Sequence, residues 1–266
     1  MLKVGMVGCG AIATELARAI RRRFSRIAKV AYLYDQDPKA SKRLAKKLNF
    51  SPKILSLLDL IRRSDFIIEA ASQKAVVEIV PIALKLKKKV MVMSVGGLLK
   101  LAPKTYMNSK GLLYVPSGAI CGIDGLLAAR QGGIKRVTIT TRKSLKSLQG
   151  APFFEKYKFD LKKIRKPTLL FEGNAALATR LFPRNVNVAA TFSLAGIGPR
   201  RTKVRIVASP TYTRNTHEIE VDGSFGRLRT VTENIPSKTN PKTSALAFYS
   251  AIACMEKIFS SFKIGT

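Results

Sequence analysis

Hydrophobic and polar positions change their period along this chain, and the change divides it in two. Leu2 to Val7 is almost wholly apolar, as befits a central strand of a parallel sheet covered on both faces. Ile12, Leu16, Ala19, Ile20 and Phe24 then recur at spacings of three and four, which predicts a helix with one buried stripe and with Arg21, Arg22 and Arg23 facing outward. Val30 to Tyr34 reads as the second strand. Pro38 opens a short helix through Leu44 and Leu48, and Leu55 to Ile61 supplies another apolar stripe. Phe66 to Ala70 and Val90 to Ser94 read as further strands, separated by a helix through Val76, Val77, Val80 and Leu84. This alternation to about residue 115 predicts a doubly wound parallel sheet, an α/β domain of Rossmann type.

Beyond it the period shortens to two. Val137-Thr138-Ile139-Thr140-Thr141, Lys203 to Val207 and the hairpin-like stretch Thr216 to Val231 are β-branched and alternating, which predicts a second, α+β domain with a mixed sheet. Thr243 to Phe262, following Pro241, returns to helical register through Leu246, Tyr249, Ile252, Ala253, Glu256 and Phe259.

Composition adds limits. A chain of 266 residues with 46% hydrophobic residues buries a full core. No apolar run approaches the roughly 18 to 20 residues a bilayer span needs, and the N-terminus runs straight into a strand without a signal-peptide pattern. A cytoplasmic protein without membrane contact is expected. Cys9, Cys121 and Cys254 form neither a disulfide framework nor a zinc spacing, and the single His with scattered carboxylates offers no metal cluster, so no metal is expected. The charge is unusual: 48 Lys and Arg against 16 Asp and Glu give +32. A field of that size draws anions, nucleic acid included. The basic residues nevertheless spread along the predicted helices, as in Lys46-Lys47, Lys87-Lys88-Lys89 and Lys162-Lys163, which reads as solvated helix faces rather than a nucleic-acid function.

The first candidate chemistry is Gly8-Cys9-Gly10-Ala11-Ile12-Ala13, a G-x-G-x-x-A loop between a strand and a helix. Gly8 permits the tight turn, Gly10 lets backbone approach a pyrophosphate, and Ala13 allows helix to pack close on strand, while the free N–H groups of the helix start face the phosphates. Asp35 ends the second strand, where a carboxylate accepts from ribose hydroxyls and favours NAD over NADP; Lys39, Lys42 and Arg43 nearby would offset its repulsion of a 2′-phosphate. Ser72-Gln73 and Ser94-Val95-Gly96-Gly97 end two further strands beside the same crevice, as cofactor lining or as ordinary turns. Hydride transfer also calls for a group that moves a proton near neutral pH. The chain has one histidine, His217, on the same strand face as Ile219 and Val221, while Glu218 and Glu220 alternate outward. Arg142, Lys143, Asn185, Asn187 and Thr191 are the other polar candidates of the second domain, each equally readable as a turn or edge residue.

Taken in order, Gly8 to Ala13, Glu69-Ala70-Ala71-Ser72-Gln73, Pro116-Ser117-Gly118-Ala119-Ile120-Cys121-Gly122-Ile123-Asp124, Thr141-Arg142-Lys143, Phe171-Glu172-Gly173, the run from Phe182 to Thr191, His217-Glu218-Ile219 and Asn240-Pro241-Lys242-Thr243-Ser244 give a sequence that resembles the archaeal and bacterial L-aspartate dehydrogenases of NAD biosynthesis. The resemblance covers nearly the whole chain. It implies a dinucleotide-binding Rossmann domain of residues 1–116 completed by 241–266, a catalytic and dimerisation domain of 117–240, and a homodimer. It makes His217 the active-site residue and has Ala119 and Asn187 contact the dinucleotide. The reaction implied is oxidation of L-aspartate by NAD(P)+ to iminoaspartate, which feeds quinolinate synthesis or hydrolyses to oxaloacetate and ammonia. Two substrate carboxylates then need fixed donors, for which Ser117, Arg142, Lys143, Thr191 and the Gly118-Ala119-Ile120 backbone are the candidates. Cys121 in place of the usual Gly, a longer segment between Gly150 and Leu170, and the high charge depart from the family pattern. The rival readings are another oxidoreductase of the same architecture, of homoserine dehydrogenase or dihydrodipicolinate reductase type, and a basic nucleic-acid-binding redox sensor. The lone His and the Asn-rich segment argue against the first. The second lacks a helix-turn-helix or aromatic-interleaved motif.

Overall fold

The structure, a computed structural model, describes residues 1–48, 51–183, 186–235, 244–262 and 264–265. It divides into two compact units, Met1–Pro116 with Ala251–Phe262, and Ser117–Ser250. In the first, strand and helix alternate: β1 (Leu2–Val7), α1 (Ala11–Arg23), β2 (Ala28–Tyr34), α2 (Pro38–Leu48), β3 (Lys53–Ile54), α3 (Leu57–Arg63), β4 (Phe66–Glu69), α4 (Gln73–Lys85), β5 (Lys89–Val92), a 3-10 turn over Val95–Lys100, α5 (Pro103–Met107) and β6 (Leu113–Tyr114). All pairings in its six-stranded sheet are parallel, in the order β3-β2-β1-β4-β5-β6. The expected Rossmann-type sheet is therefore present. Val4, Met6 and the apolar residues of β4 are buried because helices cover both faces, and α1 buries Ala13, Leu16, Ala17 and Ile20 while its terminal arginines stay exposed. The strand order reverses between β1 and β4, so a crevice opens beyond their carboxyl ends.

The second unit comprises α6 (Ile123–Gly132), β7 (Ile134–Ser144), α7 (Leu145–Leu148), α8 (Pro152–Lys156), β8 (Thr168–Asn174), α9 (Ala175–Leu181), α10 (Asn187–Ala195), β9 (Lys203–Ser209), β10 (Asn215–Gly223), β11 (Gly226–Asn234) and the start of α11 (Ala245–Phe259). Its five-stranded sheet runs β11-β10-β7-β9-β8, parallel only between β7 and β9, which is the mixed sheet expected. Val137, Ile139, Val204, Ile206, Ile219 and Val221 line the inner face and pack with Leu126, Phe153, Phe182 and Phe192 into one core. The other face is ionic, and there three of the scarce carboxylates serve two cations each. Asp222 pairs with Arg136 and Arg227, Glu218 with Arg142 and Arg229, and Glu172 with Lys203 and Arg205. Basic residues are thus not confined to helix faces. Among the described residues no helix is long and apolar enough to cross a membrane.

The last helix is shorter than its sequence pattern, and Pro241 and Thr243 lie outside the described residues. From Ala251 onward α11 belongs to the first unit, where Phe259 meets Phe24 and Phe66 edge-on at 5.4 and 5.9 Å between centroids. Phe66, 1% exposed, also meets Tyr114 edge-on. Phe66→Ala would remove a ring shared by β4, β6 and α11, so urea unfolding should show a loss of about 3–5 kcal/mol; a loss below about 1 kcal/mol would contradict this packing role.

Candidate active site

The glycine loop sits at the carboxyl end of β1. Gly8 has φ +90°, and a Cβ built there would stand 2.6 Å from the carbonyl oxygen of Ala70, so the turn excludes any side chain. Gly10 differs. Its φ is −81°, and a Cβ there would meet nothing within 4 Å, so its lack of a side chain leaves open space in front of the helix start. Ala11, Ile12 and Ala13 form the first turn of α1, whose N–H groups have no intrahelical acceptor. A cleft of ≈ 250 Å³ lined by Gly8, Gly10, Asp35, Ala71 and Ser72 completes this end of the sheet. Asp35 is held by two backbone donors, Cys9 N to Oδ2 at 2.7 Å and Asp37 N to Oδ1 at 2.9 Å. Each oxygen keeps a lone pair for a hydroxyl. Open backbone before a helix start and a fixed carboxylate at the end of β2 fit a pyrophosphate and a ribose. Arg43 is paired with Asp37 at 3.1 Å. Cys9 is buried and its thiol is pushed up to about 11 by that burial, which leaves no reactive thiolate in the loop.

Glu69 organises the neighbouring turns. Its fully buried carboxylate accepts from Ala71 N (2.8 Å), Ser72 N (3.0 Å), Ser94 N (3.0 Å) and Ser94 Oγ (2.9 Å), tying the ends of β4 and β5 together. Burial raises its pKa against these four donors. Ser72 in turn caps α4 by accepting from Ala75 N. A larger cavity of ≈ 490 Å³, lined by Lys3, Arg21, Lys29 and Lys53, has no carboxylate or imidazole among its described lining residues.

In the second unit the alternation of β7 and β10 sorts the candidates by face. His217 stands opposite Thr141 in the antiparallel register, and Thr141 Oγ1 lies 3.0 Å from His217 Nδ1. Both are buried, as is Lys143, on the same face two residues along β7 and only 5% exposed. The inner face is therefore apolar through Val137, Ile139, Ile219 and Val221 and polar at one end. Burial, with the Lys143 charge adding, pushes His217 down to about 3, so the imidazole is neutral at physiological pH. Lys143 is lowered by burial alone, to about 8. Arg142 is not brought to this row. A residue between two inward-pointing neighbours must point outward, and its guanidinium pairs with Glu218 at 2.8 Å on the opposite face.

The Ser117-Gly118-Ala119 loop is held at two points. Gly118, at φ +74°, donates its N–H to Ser250 Oγ at 3.0 Å, and the Ala119 carbonyl accepts from Asn234 Nδ2 at 2.9 Å. Asn234 also donates to the Asn215 carbonyl at 3.3 Å, across the ladder pair that closes the polar end of β10 and β11. Asn187 starts α10, and Thr191 spends its hydroxyl proton on the Asn187 carbonyl at 3.0 Å. Asn185 lies outside the described residues. Sequence pattern alone does not mark Thr141, Asn215, Asn234 or Glu69 as site residues; Thr141 and Glu69 lie in the Thr141-Arg142-Lys143 and Glu69-to-Gln73 segments, whereas the two asparagines carry no signal beyond their strand ends.

A family model described as "Aspartate dehydrogenase, C-terminal" matches residues 124–258, and one described as "Homoserine dehydrogenase, NAD binding domain" matches residues 8–109. Over 100% of both chains the sequence is 48% identical to an L-aspartate dehydrogenase of Methanosarcina barkeri and 40% identical to one of Nitrosopumilus maritimus. A crystal structure of aspartate dehydrogenase from Thermotoga maritima superposes with a TM-score of 0.76 at 26% identity, covering 100% of both chains.

Two outcomes test the geometry. Gly10→Ala should leave the melting temperature unchanged yet weaken NADH binding at least about tenfold in a fluorescence titration, while Gly8→Ala should lower both; unchanged NADH affinity in Gly10→Ala would overturn the cradle. For Lys143, the folded group titrates near 8 and the unfolded one near 10.5. Between these values the unfolded chain holds the extra proton, so stability rises with pH in that window. Lys143→Met should be more stable than wild type at neutral pH, and denaturant midpoints should show the difference closing as pH climbs from 8 to 10.5. A constant difference would refute the burial cost of the Lys143 ammonium.

Proposed function

We propose a reaction from one premise: the chain belongs to the L-aspartate dehydrogenase family. It is an NAD(P)-dependent oxidoreductase acting on the CH–NH2 group of L-aspartate. One structural observation supports placing the chemistry in the second unit: the only histidine is buried, hydrogen-bonded to Thr141 and on the same sheet face as Lys143, whose amine has no partner among the described residues.

In this reading the first unit is the dinucleotide-binding domain and the second the catalytic and dimerisation domain. Gly8, Gly10, Ala11, Ile12 and Ala13 cradle the pyrophosphate, Asp35 takes the ribose hydroxyls and favours NAD over NADP, and Ser72, Ala119 and Asn187 complete the cofactor contacts. Once bound, the nicotinamide supplies the acceptor for the hydride that leaves Cα. Lys143, Ser117 and the Gly118–Ile120 backbone fix the two substrate carboxylates, while Arg142 is turned to Glu218 and Thr191 gives its hydroxyl proton to the Asn187 carbonyl. Neutral His217, held by Thr141, orients the substrate nitrogen or the water that hydrolyses the imine by hydrogen bonding. The imine passes to quinolinate synthesis or becomes oxaloacetate and ammonia. A homodimer working in the cytoplasm is part of the same proposal.

Mixing the protein with NAD+ and L-aspartate should give NADH absorbance, with no comparable rate from L-glutamate, L-alanine or L-homoserine. His217→Ala should lower kcat/KM by about 100-fold or more. An unimpaired variant, or a rate independent of aspartate, would refute the assignment.

A further inference from the structure

Lys143 presents a problem that carboxylate binding alone does not solve. The side chain is buried at 5% exposure, yet its amine makes no hydrogen bond or ion pair among the described residues. From β10, His217 shares its face, while Glu218 projects oppositely. From β9 its register partner is Ala208, and Lys203 and Arg205 pair with Glu172 on the outer face. On α7 Lys146 is exposed, and α10 carries no ionisable side chain.

A buried ammonium without an acceptor favours losing its proton, and the neutral amine then has a lone pair and becomes a base. Burial holds the Lys143 amine below the usual lysine range and the His217 imidazole well below the usual histidine range, which leaves the amine the stronger base of the two. We propose that Lys143, rather than His217, accepts the proton that the substrate ammonium loses before Cα is oxidised, a role that rests on the aspartate dehydrogenase reading. An N–H bond of the substrate breaks, its electron pair remains on nitrogen, and the proton joins the lone pair of Lys143 Nζ. The nitrogen lone pair then forms the C=N bond as the Cα hydrogen departs with its two electrons to the nicotinamide. Lys143 passes its proton to water when the product leaves.

Lys143→Arg keeps a cation but cannot act as a base, so it separates the two roles. Wild-type kcat/KM should rise to a plateau through a limb near pH 8, and that limb should persist in His217→Asn. Lys143→Arg should lose about 100-fold or more in kcat, with KM changed far less. A second readout needs no turnover. Succinate, a dicarboxylate without an amine, is titrated calorimetrically with NADH present, at a pH above 8 in buffers of different ionisation heats. Wild type should take up a proton on binding, and Lys143→Arg should not. Lys143→Cys alkylated with bromoethylamine, which restores a less basic amine, should recover activity with the limb moved to lower pH. The proposal falls if Lys143→Arg keeps kcat within a few-fold, if the limb disappears in His217→Asn, or if wild type binds succinate without proton uptake. Absence of NADH production from aspartate by wild type would instead remove the parent reading, and the proton assignment with it.

Discussion

The register of β7 against β10 decides which side chains of the second unit are buried together. His217 stands opposite Thr141, and alternation then places Lys143 on their side and Arg142 and Glu218 on the other. A slip of one residue would exchange an imidazole and an amine for an ionic pair across the whole face. Apolar packing holds the register: Val137, Ile139, Ile219 and Val221 continue the same rows into the core and are fully buried. That packing offsets the desolvation of Lys143, an expense the fold carries at the polar end of an otherwise apolar surface.

In the first unit the governing constraint is steric. Gly8 has no room for a side chain against Ala70, while Gly10 has room that a bound phosphate can use. Around this loop the polar contacts are mostly internal. Asp35 holds the backbone of Cys9 and Asp37, and Glu69 gathers four donors from the turns after β4 and β5. Such carboxylates set the shape of the crevice before any ligand arrives, which lowers the ordering cost of binding. The high net charge has a structural echo, since Asp222, Glu218 and Glu172 each hold two cations on one sheet face.

Much of this was legible in the chain itself. Periods of about 3.6 and two mark α1, β7 and the β10–β11 hairpin because each turns one stripe inward, while β1 is marked by an apolar run buried on both faces. Short elements such as β3, β6 and α9 escaped, since two to seven residues carry too little periodicity to register. His217 was legible as inward-facing from Ile219 and Val221. Adjacency to Lys143 in one motif suggests Arg142 as a substrate donor, but strand alternation separates neighbours onto opposite faces and turns Arg142 to Glu218. Asn215 and Asn234 were invisible for another reason: their role depends on a ladder pairing and on a loop more than a hundred residues away in sequence.

The central claim is that this fold oxidises the Cα of L-aspartate by direct transfer of its hydrogen to a nicotinamide. L-Aspartate deuterated at Cα tests it most directly. The account predicts that the deuterium appears at nicotinamide C4 of the reduced cofactor and slows turnover when chemistry limits the rate. Deuterium recovered in water, or a reduced cofactor without label, would contradict it.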